Sequence, residues 1–469
     1  MMSGVVMPIV RVAVLAENRL TEMALPAEVP LREILPAVQR LAAPVSDDDG
    51  DAGAPVRLSL APIGGAPFSL DASLDTVGVV DGDLLALQPL PPGPAAPGIV
   101  EDIADAAVIF SAARLRPWGA ANIQRGALAA AVGFIVAATT LAVTHRLATG
   151  EPLGRYAASV IAVLTVLASL VSGVRSPRAG VTLSAAALVP IAAACALAVP
   201  GGLGPANIML GAAGFSAWSV VSIALPRRDD ERAIGFFTAT AVLGAGVLLA
   251  AGAASLWRLS LVSLGCGLIV AGLLLVIEAA QLSALWARFP LPVIPAPGDP
   301  TPSAPSLRVL EDLPRRVRIS DAHQVGFIAG GVLLSVLGST AIAARPETVG
   351  GWGWYVVAAA ALGAVLRARV WDSAACKAWL LAQPYLTVVA LLALYAATAR
   401  YSAALWTLAV LAGLVLAWVI VALSPTIASP DSYSLPIRRL VGFLAAGIDG
   451  SLIPVMAYVV GLYGWLLNR

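Results

Sequence analysis

The chain is 469 residues long, 59% hydrophobic and 12% charged, with a mean hydropathy of +0.87, whereas soluble domains carry about 25% charged residues. That composition excludes an ordinary soluble globular protein and places most of the chain in a bilayer. The net charge of +1 conceals two environments, because residues 1 to 90 hold five basic and twelve acidic side chains, net −7, and the remainder is net +8.

Pro8 to Leu15 is rich in β-branched residues, Glu17-Asn18-Arg19 makes a turn and Leu20 to Leu25 returns, so the pair reads as a hairpin. After Pro26 and Pro30, the residues Leu31, Ile34, Leu35, Val38 and Leu41 recur at helical spacing and stop before an acidic loop that holds Asp47, Asp48, Asp49 and Asp51. Val56 to Leu60 alternates as a strand, and the turn Leu74-Asp75-Thr76-Val77-Gly78 leads through Asp81-Gly82-Asp83 into a last strand, Leu84 to Leu87. The order ββαββ resembles the ubiquitin-like β-grasp fold, an α+β class. One amphipathic helix in about 80 residues gives a thin core. Residues 1–90 are therefore expected to form a cytoplasmic docking domain, with the acidic loop and the strand faces of residues 8 to 25 as its docking surface. The plainer alternative is a generic α/β tether.

Pro91 to Gly98, PPGPAAPG, suits neither helix nor sheet, and Arg114, Arg116 and Arg125 follow it. Residues 91–125 thus read as a proline-rich linker and a basic pre-membrane segment. Residues 126–469 then read as an all-α polytopic membrane domain of 11 transmembrane helices. Each apolar stretch, at about 1.5 Å per residue, crosses or nearly crosses a hydrocarbon core of about 30 Å. The stretches are placed at 126–145, 156–174, 180–199, 207–225, 233–253, 259–280, 324–343, 352–370, 380–398, 403–423 and 449–467. No secretory signal is expected, because residues 1 to 30 lack the apolar core that one carries.

Orientation follows from the basic residues, which are retained on the cytoplasmic side. With the acidic domain in the cytoplasm, eighteen Arg and Lys residues fall in inner segments and six in outer ones. This reading puts the N-terminus in the cytoplasm and, after an odd number of spans, the C-terminus on the extracytoplasmic (periplasmic) side of the inner membrane. The long inner connection, 286–323, carries Pro290, Pro292, Pro295, Pro297, Pro300, Pro302 and Pro305, a run that favours extended polyproline backbone. Within Leu307 to Ile319, Arg308, Arg315, Arg316 and Arg318 stand among apolar residues, as in a segment that lies on the inner membrane face or grips an acidic partner. A basic loop that merely fixes topology would look the same.

Ionisable groups inside the spans are few, whereas a pump or ion-coupled carrier displays its relay there. Glu278, near the inner end of the sixth span, is expected to be interfacial or paired with an Arg. Asp449 sits at the edge of a last span placed at 449–467, and deep if that helix starts near Leu440. His145 and His323 fall at span ends on opposite sides. The spans are rich in small residues, and Gly326 and Gly330 have the GxxxG spacing that lets helix backbones approach closely. Trp118, Trp352, Trp354 and Trp406 read as interfacial anchors. The single lysine, Lys377, follows Cys376 with no glycine in reach, so a phosphate-cradling GxxxxGK[ST] loop is excluded. Cys195, Cys266 and Cys376 form no CxxC pair and the two histidines lack a metal-ligand spacing. No catalytic residue, cofactor, metal or nucleic-acid partner is expected.

The whole chain resembles EccD, the polytopic inner-membrane subunit of the type VII (ESX) secretion systems of mycobacteria and other actinobacteria. The likeness rests on LDTVGVVDGDLLAL at Leu74 to Leu87, on Arg114 to Arg125 entering the first span and on the Pro-rich loop after the sixth. It rests also on Arg438-Arg439, Pro454 and Gly461-Leu462-Tyr463-Gly464 near the C-terminus. The resemblance implies a homodimer within a larger oligomeric complex, in which paired copies form a membrane vestibule beside the subunits EccB, EccC and EccE. It also implies that the ubiquitin-like domains dock the EccC ATPase, which supplies the nucleotide hydrolysis. Conjugation is not implied, because the domain runs through Pro89 into a linker with no free Gly-Gly end. The expected function is a non-enzymatic structural component of a protein-export complex. The rival from another class is a solute or lipid permease with a cytoplasmic regulatory domain. An intramembrane enzyme would need a nucleophile and base paired within the bilayer, and the sequence offers none.

Overall fold

The computed structural model of the chain describes residues 8–16, 19–42, 58–90, 118–225, 230–289, 307–424 and 434–467. The chain divides into two compact units, Met1–Pro117 and Trp118–Arg469.

In the first unit β1 (Ile9–Ala16) and β2 (Arg19–Pro26) pair antiparallel, with Leu15 opposite Leu20, and β3 (Leu58–Pro62) pairs antiparallel with β4 (Leu84–Pro89). The sheet order is β2-β1-β4-β3, and the central pair, β1 with β4, is parallel. A parallel pair needs a crossover, and α1 (Leu31–Ala42) lies within it. Alternation in β1 turns Val12, Val14 and Ala16 into the core, where they meet Leu31, Ile34, Leu35 and Val38 of α1, with Leu60, Leu74 and Leu85. This is the ubiquitin-like β-grasp arrangement. The helix differs from expectation at one position: Leu41 is 61% exposed and Ala42 is buried in its place. At about 100° per residue, Ala42 falls only about 20° from the direction of Leu31, whereas Leu41 falls about 80° away. The Asp81-Gly82-Asp83 turn sets the last strand beside the first. Gly82, at φ 91°, donates its N–H to the Arg11 carbonyl at 2.8 Å, and Asp81 Oδ1 accepts the Arg11 N–H at 2.6 Å. That left-handed backbone is the conformation glycine adopts without a Cβ clash.

The second unit is helical: α2 (Ala120–Thr149), α3 (Leu153–Arg175), α4 (Pro177–Ala198), α5 (Pro205–Ala224), α6 (Glu231–Trp257), α7 (Leu261–Trp286), α8 (Leu307–Ile342), α9 (Gly351–Arg367), α10 (Ala374–Ala397), α11 (Tyr401–Leu423), α12 (Leu435–Val459) and the short α13 (Leu462–Leu467). Among the described residues, eleven helices, α2 to α12, are long and apolar enough to cross a membrane. Most ends fall within six residues of the sequence placement, and two spans depart by more than ten. The seventh span is the 36-residue α8, so the basic stretch from Leu307 to Ile319 continues it as helix and is no separate surface segment. At about 1.5 Å per residue α8 runs about 54 Å, well beyond a core of about 30 Å. The eleventh span is α12, Leu435–Val459, and not 449–467, which brings Asp449 into the middle of the helix. The chain then turns at Gly461, φ 80°, into α13. A hydropathy reading starts this span after the aspartate because it penalises a lone charge, and the charge proves to be paired.

The second unit is organised around α8, which packs on α6, α7, α9 and α10. In its most apolar stretch 72% of the residues are buried, against 6% for the peripheral α11. Lipid supplies no hydrophobic drive between helices, so close backbone approach has to do that work. A Cβ built on Gly272 would lie 2.4 Å from the Gly331 carbonyl oxygen, and one on Gly338 would lie 2.5 Å from that of Gly265. These contacts run antiparallel between α7 and α8. On the other side of α8, Gly326 lies over Gly235 and Gly330 over Ala239 and Val242, so α6 and α8 run parallel. Both directions agree with consecutive membrane crossings.

Candidate functional site: the polar groups of the helical bundle

Among the described residues, three clusters built on ion pairs tie the helices together, beside neutral bonds such as those of Trp218 to the Ser184 carbonyl and Gln383 to the Ala360 carbonyl. The first joins the start of α6, the end of α7 and the start of α8. Asp230 caps α6 by accepting the N–H groups of Arg232 and Ala233 at 3.0 and 3.2 Å, as a short carboxylate at a helix N-terminus does. The next residue, Glu231, is 3.4 Å from the guanidinium of Arg318. Arg316 donates to Asp312 one helical turn earlier, at 2.6 Å, and also to the carbonyl of Arg288, which holds a left-handed backbone beyond the end of α7. Arg315 lies 3.7 Å from the same Asp312. Ser320 donates to Ser283 at 3.3 Å. One turn deeper His323 is buried, shares a hydrogen bond of 2.8 Å with Thr238 and meets the Trp286 ring edge-on at 5.4 Å. Three of the four arginines that the sequence marks as a docking patch thus have acceptors within the bundle. The fourth, Arg308, lies in the first turn of α8.

The second set joins α9 to α12. Arg367, the last residue of α9, grips Asp449 through Nε at 3.1 and 3.2 Å and Nη2 at 3.0 Å. The side chains are only 15% and 31% exposed. Gly363, one turn before Arg367, makes room: a Cβ there would stand 2.8 Å from Asp449 Oδ1. Tyr355 and Ser451 share a hydrogen bond of 2.5 Å between the same helices. Fork geometry of this kind is the strong form of an ion pair. Sequence spacing had no means of revealing a pair so distant along the chain.

The third set closes the opposite end of α8. Arg400 donates to the Ala344 carbonyl at 2.6 Å and lies 3.2 Å from Glu347, while the buried Tyr395 donates to the Ala343 carbonyl at 2.6 Å. These donors reach carbonyls just beyond the last turn of α8, where intrahelical partners run out.

Glu278 differs from all of these. It is exposed on the outer face of α7 and has no ion pair with a described residue. Gly326 and Gly330 lie in the contact with α6, and Cβ atoms there would meet the Gly235 carbonyl oxygen and Val242, each at 2.6 Å. Asp47, Asp48, Asp49 and Asp51 lie outside the described residues, as does the proline run from 290 to 306. No three His, Cys, Asp or Glu side chains among the described residues stand close enough to hold a metal ion. Each set ties helices of the bundle to one another or to the chain just beyond a helix end.

Comparison with known proteins bears on the whole length. Residues 124–468 match the family model described as the EccD-like transmembrane domain, and residues 9–87 match that of the WXG100 protein secretion system protein YukD. The chain is 69% identical over 472 residues to the ESX-3 secretion system protein EccD3 of Mycobacterium tuberculosis, and 62% identical over 478 residues to the protein of that name in Mycolicibacterium smegmatis. In both cases all of each chain is covered. A solved structure described as protomer 1 of the ESX-3 core complex matches with a TM-score of 0.70 and 62% identity, covering 98% of this chain and 100% of that one.

Proposed function

The chain belongs to the EccD family of type VII secretion membrane proteins, and from that premise we propose that it is a non-enzymatic structural subunit of an ESX-3 inner-membrane complex. The observation that carries this reading is likeness along the entire chain, both ubiquitin-like unit and membrane unit, to a protomer of an ESX-3 core complex. The bundle supports it in that three ion pairs fix helices against their neighbours: Arg367 with Asp449, Arg318 with Glu231 and Arg400 with Glu347.

In this reading the helices scaffold the inner-membrane assembly as a homodimer within a larger complex containing EccB-, EccC- and EccE-like subunits. The ubiquitin-like unit is cytoplasmic and docks the EccC ATPase through its acidic loop, Asp47 to Asp51, and the open face of its sheet. On that face Leu20 and Leu84 stand exposed beside Arg11 and Glu22, a mixed apolar and charged surface of the kind partners bind. The excess of Arg on one side supports a cytoplasmic N-terminus and an extracytoplasmic C-terminus.

Deleting residues 1 to 98 separates the two roles. The truncated chain is expected to stay in the membrane and to co-purify in mild detergent with the other membrane subunits, with the ATPase reduced at least tenfold. Full retention of the ATPase would move its docking to the membrane unit, whose cytoplasmic candidates are the arginines at the start of α8.

A further inference from the structure

The two faces of α7 are of opposite character. One packs on α8 through Gly265, Gly272, Val276 and Ala279. The other is open along Leu274, Ile277, Glu278, Gln281 and Leu285, all exposed, at the i, i+3, i+4, i+7 and i+11 spacing of a single helical stripe. Neither the Glu278 carboxylate nor the Gln281 carboxamide has a hydrogen bond or ion pair with a described residue. Glu278 lies eight residues before the last residue of α7, about 12 Å further in than Trp286. Lipid does not satisfy a carboxylate at that depth, and ionisable groups within spans face protein or a water-filled cavity.

We propose that this face of α7 docks one membrane-crossing helix of another polypeptide, which brings a Lys or Arg side chain to Glu278 while Gln281 hydrogen-bonds to it. The inference rests on the chain being a subunit of a multi-subunit membrane complex. A second copy is the wrong occupant: two-fold self-pairing sets Glu278 against Glu278, and a head-to-tail pairing leaves the same stripe open on the last copy. The flanking leucines and Ile277 supply the apolar contact, and the carboxylate fixes the depth and rotation of the arriving helix.

The test uses the full chain in its native membrane, with a photoreactive benzophenone amino acid in place of Ile277 and, as a control at an equally exposed position, in place of Val163 on α3. After irradiation, the adduct at residue 277 is expected on an apolar helix of a different polypeptide, within about one turn of a Lys or Arg. Glu278→Leu is expected to cut that adduct at least tenfold with the amount of chain in the membrane unchanged, and Glu278→Gln is expected to fall between. An adduct only with lipid or with a second copy, an adduct helix without a cation, or an adduct undiminished in Glu278→Leu would overturn the inference. If the chain still co-purifies with secretion subunits while residue 277 labels only lipid, the stripe alone fails. Co-purification with none of them sinks the proposed function itself.

Discussion

Arg367 and Asp449 are 82 positions apart in sequence, yet they form a three-bond fork inside the bundle. Taking both charges out of water is costly, and their attraction recovers that cost only because the geometry is bidentate and Gly363 leaves the space. Removing one partner is therefore worse than removing both. Asp449→Ala should destabilise the membrane unit by about 3 kcal/mol because it strands the guanidinium, and the double replacement by Leu at both positions should recover most of that loss. Thermal unfolding of the detergent-solubilised chain, run as a double-mutant cycle, measures the coupling. Equal and additive losses would mean that the pair does not hold α12. The Arg318–Glu231 pair is different in kind, since both side chains are about half exposed, and such pairs contribute only about 0–1 kcal/mol. Its role is to set position more than to stabilise.

Whole helices make the glycines decisive. At Gly272 a new side chain meets the backbone oxygen of Gly331, which cannot swing aside, whereas an added Cβ on Gly133 in α2 meets nothing within 4 Å. Gly272→Leu should cost at least about 1–3 kcal/mol, the usual range for overpacking, and lower accumulation in the membrane. Gly133→Leu should be close to neutral, and fluorescence-detected size exclusion distinguishes the two. The ubiquitin-like unit offers a parallel contrast. Leu31 is fully buried and Leu41 exposed, so Leu31→Ala should cost about 2–5 kcal/mol and Leu41→Ser almost nothing. Amide hydrogen exchange across residues 8–90 of the full chain reads both.

These elements also show what sequence pattern does and does not carry. The alternation Val12, Val14, Ala16 and the apolar runs of the first ten spans are local, and local pattern is enough to locate them. Leu41 shares the helical spacing of Leu31, Ile34, Leu35 and Val38, but it falls at the edge of that face and is exposed, while Ala42 is buried. Of the two starts that the sequence leaves open for the last span, the earlier one is nearer the structure, because Asp449 reads as a boundary only until its partner Arg367 is known. The continuity of α8 through Pro314 and four arginines depends on Asp312, Glu231 and the Arg288 carbonyl, two of which come from other elements. Pairings across the bundle have no sequence period, so the fold was legible and most of the polar ties were not.

For the molecule as a whole, an acidic β-grasp unit and a glycine-packed membrane unit share one chain, and three ion pairs, Arg367–Asp449, Arg318–Glu231 and Arg400–Glu347, hold helices of the membrane unit in register. On the function proposed above, such a molecule presents surfaces to other subunits, and the work of transport falls to a partner that hydrolyses nucleotide. The most direct measurement is purification of the full-length chain from native membranes in mild detergent, followed by reconstitution of the chain alone into vesicles. The expected result is co-elution with an ATPase and single-span membrane subunits, and vesicles that take up no solute. A chain that elutes free of partners and drives substrate-dependent uptake by itself would contradict it.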